Sequence, residues 1–95
     1  MSMIKKTLGV VFAGFTGSPA SDTDWEKLDW PFDAQSLKVV VKTADLEYSM
    51  DGKELFGKLP AGTDPMVYDF PGIGISRFFV RKTAAVVEVM AFAVK

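Results

Sequence analysis

The chain has 95 residues, with 11 Lys and Arg against 12 Asp and Glu and a formal net charge of −1. It contains no His, Cys or Asn. These zeros exclude disulfides, thiolate nucleophiles, Cys-based zinc sites, imidazole bases, Ser-His triads and Asn-linked glycans, and the near-zero charge argues against a general nucleic-acid binder, which needs a basic face to release counterions.

One domain is expected at this length. A chain this short buries only somewhat over ~60% of its unfolded surface, so its core is thin. Eight Phe, two Trp and two Tyr suit such a core, because each aromatic ring fills much of it.

Residues 1–20 imitate a secretory signal, with Lys5 and Lys6, an apolar run, then the small residues Ser18 and Ala20. The reading preferred is a first β-strand or arm over residues 4–15, ending at the Gly14–Pro19 turn cluster. The run is too short for a membrane-spanning helix, which needs ~20 apolar residues. Residues 16–35 read as one long irregular connection. Ser21 or Asp22 could cap a single helical turn through Trp25 and Leu28, and Pro31 stops any continuation. Trp25, Trp30 and Phe32 are expected to pin this loop onto the body or onto a partner.

From residue 36 onward, strands and turns alternate. Leu37, Val39 and Val41 share one face and Lys38 and Lys42 the other, with Val40 as the apolar exception; this is the period-2 pattern of a half-buried strand. Asp51-Gly52 between residues 47–50 and 53–56 predicts a type I′ hairpin, because both turn positions need positive φ. Residues 59–65 read as a loop, 66–70 as a short strand, 71–74 as a turn, 75–82 as a strand and 84–94 as a longer one, with a bend at Thr83. The expected fold is all-β. About seven mostly antiparallel strands form a β-sandwich of jelly-roll or Ig-like type, with a small barrel as the alternative. The single domain spans 1–95, with its antiparallel core over 36–95.

Catalytic patterns fail on missing partners. Gly52 to Lys58 matches most of a P-loop, but Leu59 supplies no hydroxyl for magnesium, and Pro60 and Gly62 stop the helix the motif needs. Gly72-Ile73-Gly74 lacks the third glycine of the dinucleotide fingerprint. Ser76 after Gly74 has no histidine to activate it. Asp22, Asp24, Asp64 and Asp69 are read as turn residues rather than as a metal site or a carboxylate pair. No cofactor, no metal and no small-molecule substrate is expected, and the chain reads as a non-enzyme.

Two surfaces stand out. Residues 71–95 hold four Lys and Arg against one Glu, while residues 1–70 hold seven against eleven. Within that basic segment, Arg77, Phe79 and Arg81 should point away from Phe78 and Val80. Aromatics and Arg are enriched in interface cores, so these three, with Trp25 and Trp30, are candidate partner-binding residues. Residues 84–94 carry one charge and are apolar on both faces. Val87, Val89, Ala91 and Ala93 form one row, and Val86, Met90, Phe92 and Val94 the other. A wet strand should alternate, so Val89, Met90 and Phe92 are candidates for a homo-oligomer interface.

The run from Ile75 through Arg81-Lys82-Thr83 to the Val-rich last strand resembles the closing hairpin of small β-sandwich virion proteins of tailed bacteriophages. The entry Pro31-Phe32-Asp33 is similar too; Thr83-Ala84 departs from the Asn-Gly that often makes that turn. The resemblance implies a capsid-decoration (cement) or head-tail accessory protein located in the virion. It would pack as symmetric copies on a capsid or other virion protein. A small acidic inhibitor of a host enzyme, and a carrier with an apolar barrel interior, are the alternatives.

Overall fold

The computed structural model describes residues 3–8, 11–62, 64–83 and 86–95. The elements are β1 (Ile4–Leu8), β2 (Phe12–Gly17), β3 (Glu26–Lys42), β4 (Leu46–Ser49), β5 (Gly57–Leu59), β6 (Met66–Lys82) and β7 (Glu88–Val94). They form one antiparallel sheet in the order β1-β2-β7-β3-β6-β4-β5. The all-β expectation holds.

β3 and β6 are 17 residues each and pair along both of their halves. Residues 36–42 of β3 lie between β7 and the start of β6. Residues 77–80 of β6 pair with the start of β3, and 79–82 with β4. The sheet thereby doubles over into two layers. One holds β1, β2, β7 and the adjoining halves of β3 and β6. The other holds the remaining halves with β4 and β5. This is a jelly-roll-like sandwich.

The alternation along β3 explains the doubling. Leu28, Trp30, Phe32 and Ala34 are buried, and then Leu37, Val39 and Val41. The buried parity changes from even to odd at residues 35–36, where the β3–β6 register shifts. A bulge bends a strand and re-aims its side chains, so each half of β3 turns its apolar row toward one shared core. Pro31 has no N–H to give the ladder, and pairing with β6 lapses between Asp29 and Ala34. The Trp30 indole N–H donates to the Ile75 carbonyl at 3.0 Å and ties the strands across that gap.

Several sequence expectations change. The single strand over 4–15 is a hairpin of β1 and β2. The long loop over 16–35 shrinks to residues 18–25, because residues 26–35 belong to β3; no helical turn forms at Trp25 and Leu28. Residues 71–74 are no turn but the middle of β6, with Gly74 absorbing the bend at φ +60°. The last strand begins at Glu88 rather than Ala84; Ala84 lies outside the described residues.

The Asp51-Gly52 turn is not type I′. Gly52 has φ +74°, but among the described residues the one non-Gly residue at positive φ is Thr43. The Asp51 carboxylate instead accepts the N–H groups of Lys53 (2.8 Å) and Glu54 (3.0 Å) and the Ser49 hydroxyl (2.9 Å). These donors, the Lys53 N–H first, hold its pKa below the ordinary carboxylate value. The wider loop carries the chain to β5, so Tyr48 pairs with Gly57 rather than with a residue of 53–56.

The core between the layers is filled with rings. Tyr48 stacks on Phe78 at 5.5 Å, and Phe70 meets both at 5.6 Å. Phe15, Trp30 and Phe32 continue the row. Among the described residues every buried side-chain N or O has a partner. A solid interior of this kind runs against a ligand carried inside the barrel.

Candidate functional site

The residues singled out from the sequence occupy four different settings. Trp30 is 4% exposed and belongs to the core, which corrects its placement on a loop facing a partner. Phe78 and Val80 point inward as expected, and Arg77, opposite Asp29, is exposed. Phe79 is half-buried, with its ring over Gly52; a Cβ there would sit 2.8 Å from the ring. Arg81 is largely used within the chain. Its Nε donates to Glu47 Oε1 at 2.9 Å, a second N–H reaches the Thr23 carbonyl at 3.4 Å, and the guanidinium lies 4.2 Å from the Trp25 ring centroid. Arg81 and Trp25 thus clamp the 18–25 loop to the body. Val89 is buried in the core, Met90 is exposed, and Phe92 is half-buried against Phe12, with centroids 6.0 Å apart. β7 is an interior strand between β2 and β3, so its two apolar rows face different things: one the core, the other the outside.

The feature best suited to a ligand lies where the ends of four strands converge. A groove of about 790 Å³ runs between the C-terminal end of β2, the C-terminal end of β3, the start of β7 and the end of β6. Its floor is Val40 and Met90, direct cross-strand neighbours, with the buried Val89 beside them. Pro19, Pro65 and Val86 form its sides. Gly17, at φ +131°, turns the chain out of β2 and brings Ser18 and the buried Pro19 back over the strand ends.

Two cations stand at the rim. Lys42 follows Val40 on the same strand face. Lys82 ends β6, and its backbone N–H donates to the Ser21 carbonyl at 3.1 Å, which fixes it beside the loop. Among the described residues neither lysine forms an ion pair. The one carboxylate there, Glu88, accepts the Thr43 hydroxyl at 2.8 Å. The groove therefore offers an apolar floor, two ammonium groups, and hydroxyls from Thr16 and Ser18. An imidazole-carboxylate metal centre has no residues to build it, and among the described residues no three His, Cys, Asp or Glu come together.

Sequence reasoning missed this groove. Its one legible signal is Val40, the apolar exception on a lysine face. Lys82 and Pro19 reach the site only through the topology.

No protein-family model matches the chain, and no curated protein matches it. Among the solved structures that match the chain, two share its fold at TM-scores near 0.6. One is an RmlC-like cupin protein from Desulfovibrio desulfuricans, 17% identical with a TM-score of 0.59, over 97% of this chain and 80% of that one. The other is the Cupin_2 domain of an XRE family transcriptional regulator from Enterobacter cloacae, 19% identical with a TM-score of 0.60, over 100% of this chain and 98% of that one. At these identities the likeness shows the fold alone: the chain has a cupin-type fold. It overturns the virion expectation. Neither neighbour is a bacteriophage or capsid protein, so the decoration role, the virion location and the phage resemblance fall together. The physical reason is that viral capsid proteins and cupins share the double-sheet jelly roll, and a Val-rich closing hairpin belongs to the architecture rather than to either use of it.

Proposed function

We propose that this chain is a non-catalytic, cupin-type binding domain whose ligand is a small apolar anion, with the apolar body on Val40 and Met90 and the anionic head between Lys42 and Lys82. The observation that carries this reading is the groove itself. It is concave, apolar at its floor, and carries two lysines against one carboxylate, Glu88, at its rim. Ligand sites are concave, mostly apolar and oriented by a few polar groups, and the mouths of β-barrels are a common place for them.

The residue types at the groove accord with a binding role. Among the described lining residues the one carboxylate is Glu88, which accepts the Thr43 hydroxyl, and the chain has no His or Cys.

The test is a fluorescence titration with 8-anilinonaphthalene-1-sulfonate, itself an apolar anion, followed by competition. Decanoate should displace the dye and decanol should not, since chain length is equal and only the charge differs. Lys82→Glu should weaken decanoate binding by about fivefold or more, the equivalent of about 1 kcal/mol for one rim charge. Equal displacement by decanoate and decanol would remove the lysines from the site, and no saturable dye binding would end the proposal.

A further inference from the structure

The outer face of the larger layer carries a feature that a lone domain has no use for. Ile4, Thr16, Met90, Val40 and Val67 are successive register partners across β1, β2, β7, β3 and β6. Direct partners in an antiparallel sheet point to the same side, so the five form one row across the whole layer. Ile4 is 52%, Met90 44% and Val67 57% exposed. The next row is Lys6, Gly14, Phe92, Lys38 and Asp69. Gly14 there is buried because the Phe12 and Phe92 rings close over it; a Cβ would meet Phe12 at 3.3 Å. The third row brings Phe12 and Val94.

We infer that a second copy of this chain docks on this face, with the two-fold axis running along β7. β7 is the middle strand of the five. A two-fold lying along it sets Met90 on Met90, Phe92 on Phe92 and Val94 on Val94, and sets each copy's Ile4 opposite the other's Val67. The same rotation puts each copy's Lys6 opposite the other's Asp69. Both are exposed. Among the described residues Asp69 meets a cation of its own chain only through a long 4.0 Å contact to Lys38, so it is open to a second one. The face is thus self-complementary in shape and in charge, which is what an isologous interface requires. Two sheets packed face to face with their strands nearly aligned is a standard arrangement. A net charge of −1 per chain opposes the association little.

The size of the face sets the strength. Five strands at about 4.8 Å and three rows at about 7 Å give a patch of about 24 by 20 Å. That is on the order of 1,000 Å² buried in total, the lower end for specific interfaces. Thr16, Val40 and Met90 also line the ligand groove, so the second copy and the ligand compete for these side chains. The dimer rests on the sheet geometry alone and does not need the ligand.

Sedimentation equilibrium of the full chain from about 5 to 500 μM tests the inference. The wild type should pass from 10.4 kDa to twice that mass across this range. Val67→Lys lies at an exposed site outside the groove and should weaken the dimer at least about tenfold. Lys6→Asp should weaken it too, and Lys6→Asp with Asp69→Lys should restore it. Leu55→Lys, exposed but off this face, should change nothing. A wild type that stays monomeric at 500 μM would overturn the inference. So would a dimer that Val67→Lys and Lys6→Asp both leave intact. Dye titration of the Val67→Lys monomer separates the two proposals: retained binding leaves the groove standing whatever happens to the dimer, and lost dye binding in a monomeric variant counts against the groove alone.

Discussion

Arg81→Ala is the most informative perturbation of the clamp that shapes the groove. The Arg81 and Glu47 side chains keep 22% and 16% of their exposure, so water screens them only partly. The substitution removes a 2.9 Å charge-assisted hydrogen bond, worth about 1.5–3 kcal/mol. It also removes the cation–π contact with Trp25, worth about 0.5–1 kcal/mol, and leaves Glu47 half-sealed without its cation. The expected loss is about 3 kcal/mol. A domain of this size has roughly 5–14 kcal/mol in all, so Tm should fall by about 12–24 °C. Urea unfolding followed by tryptophan fluorescence measures the loss. A double-mutant cycle with Glu47→Ala should return a coupling above about 1 kcal/mol. The 18–25 loop hangs on this clamp and its Pro19 lines the groove, so dye affinity should fall as well. A loss under about 1 kcal/mol with coupling near zero would show the pair behaving as an ordinary surface contact and refute the reasoning.

Two further substitutions probe the β4–β5 turn. Gly52→Ala meets both a positive φ and the Phe79 ring at 2.8 Å; it should cost about 1–3 kcal/mol in urea unfolding, against near-neutrality for Lys53→Ala next to it. Asp51→Asn tests pH. The folded pKa of Asp51 lies below the ordinary 3.8, so its contribution is fully present above that value and is lost as pH falls through the lower folded one. Thermal melts from pH 5 to pH 2 should therefore show a shallower acid decline in Asp51→Asn than in the wild type, and parallel declines would count against it.

How far the fold can be read from the sequence depends on the element. The inward row of residues 37–41 and the inward pair Phe78 and Val80 are set by simple alternation and survive folding. Residues 26–35 alternate just as cleanly, from Leu28 to Ala34, but Pro31 disguises the strand as a loop. The bulge at residues 35–36 and the bend at Gly74 make single strands look like pairs of elements, because a period-2 pattern loses its phase at each. The Asp51-Gly52 turn is legible as a turn but not in its register, which the Asp51 carboxylate sets by capturing three donors. Chain-level patterns cannot show the groove: Pro19, Val40, Lys82 and Met90 meet only once β7 is placed between β2 and β3. Arg81 and Trp30 carry interface-like chemistry, yet the fold spends it internally.

Backbone amide shifts of the 15N-labelled protein, titrated with decanoate, test the proposed function most directly. Saturable shifts should concentrate at Thr16, Val40, Lys42, Lys82 and Met90, with the exposed Leu55 and Phe56 region silent. Shifts scattered over the exposed apolar residues, or none at millimolar decanoate, would contradict a built site for an apolar anion.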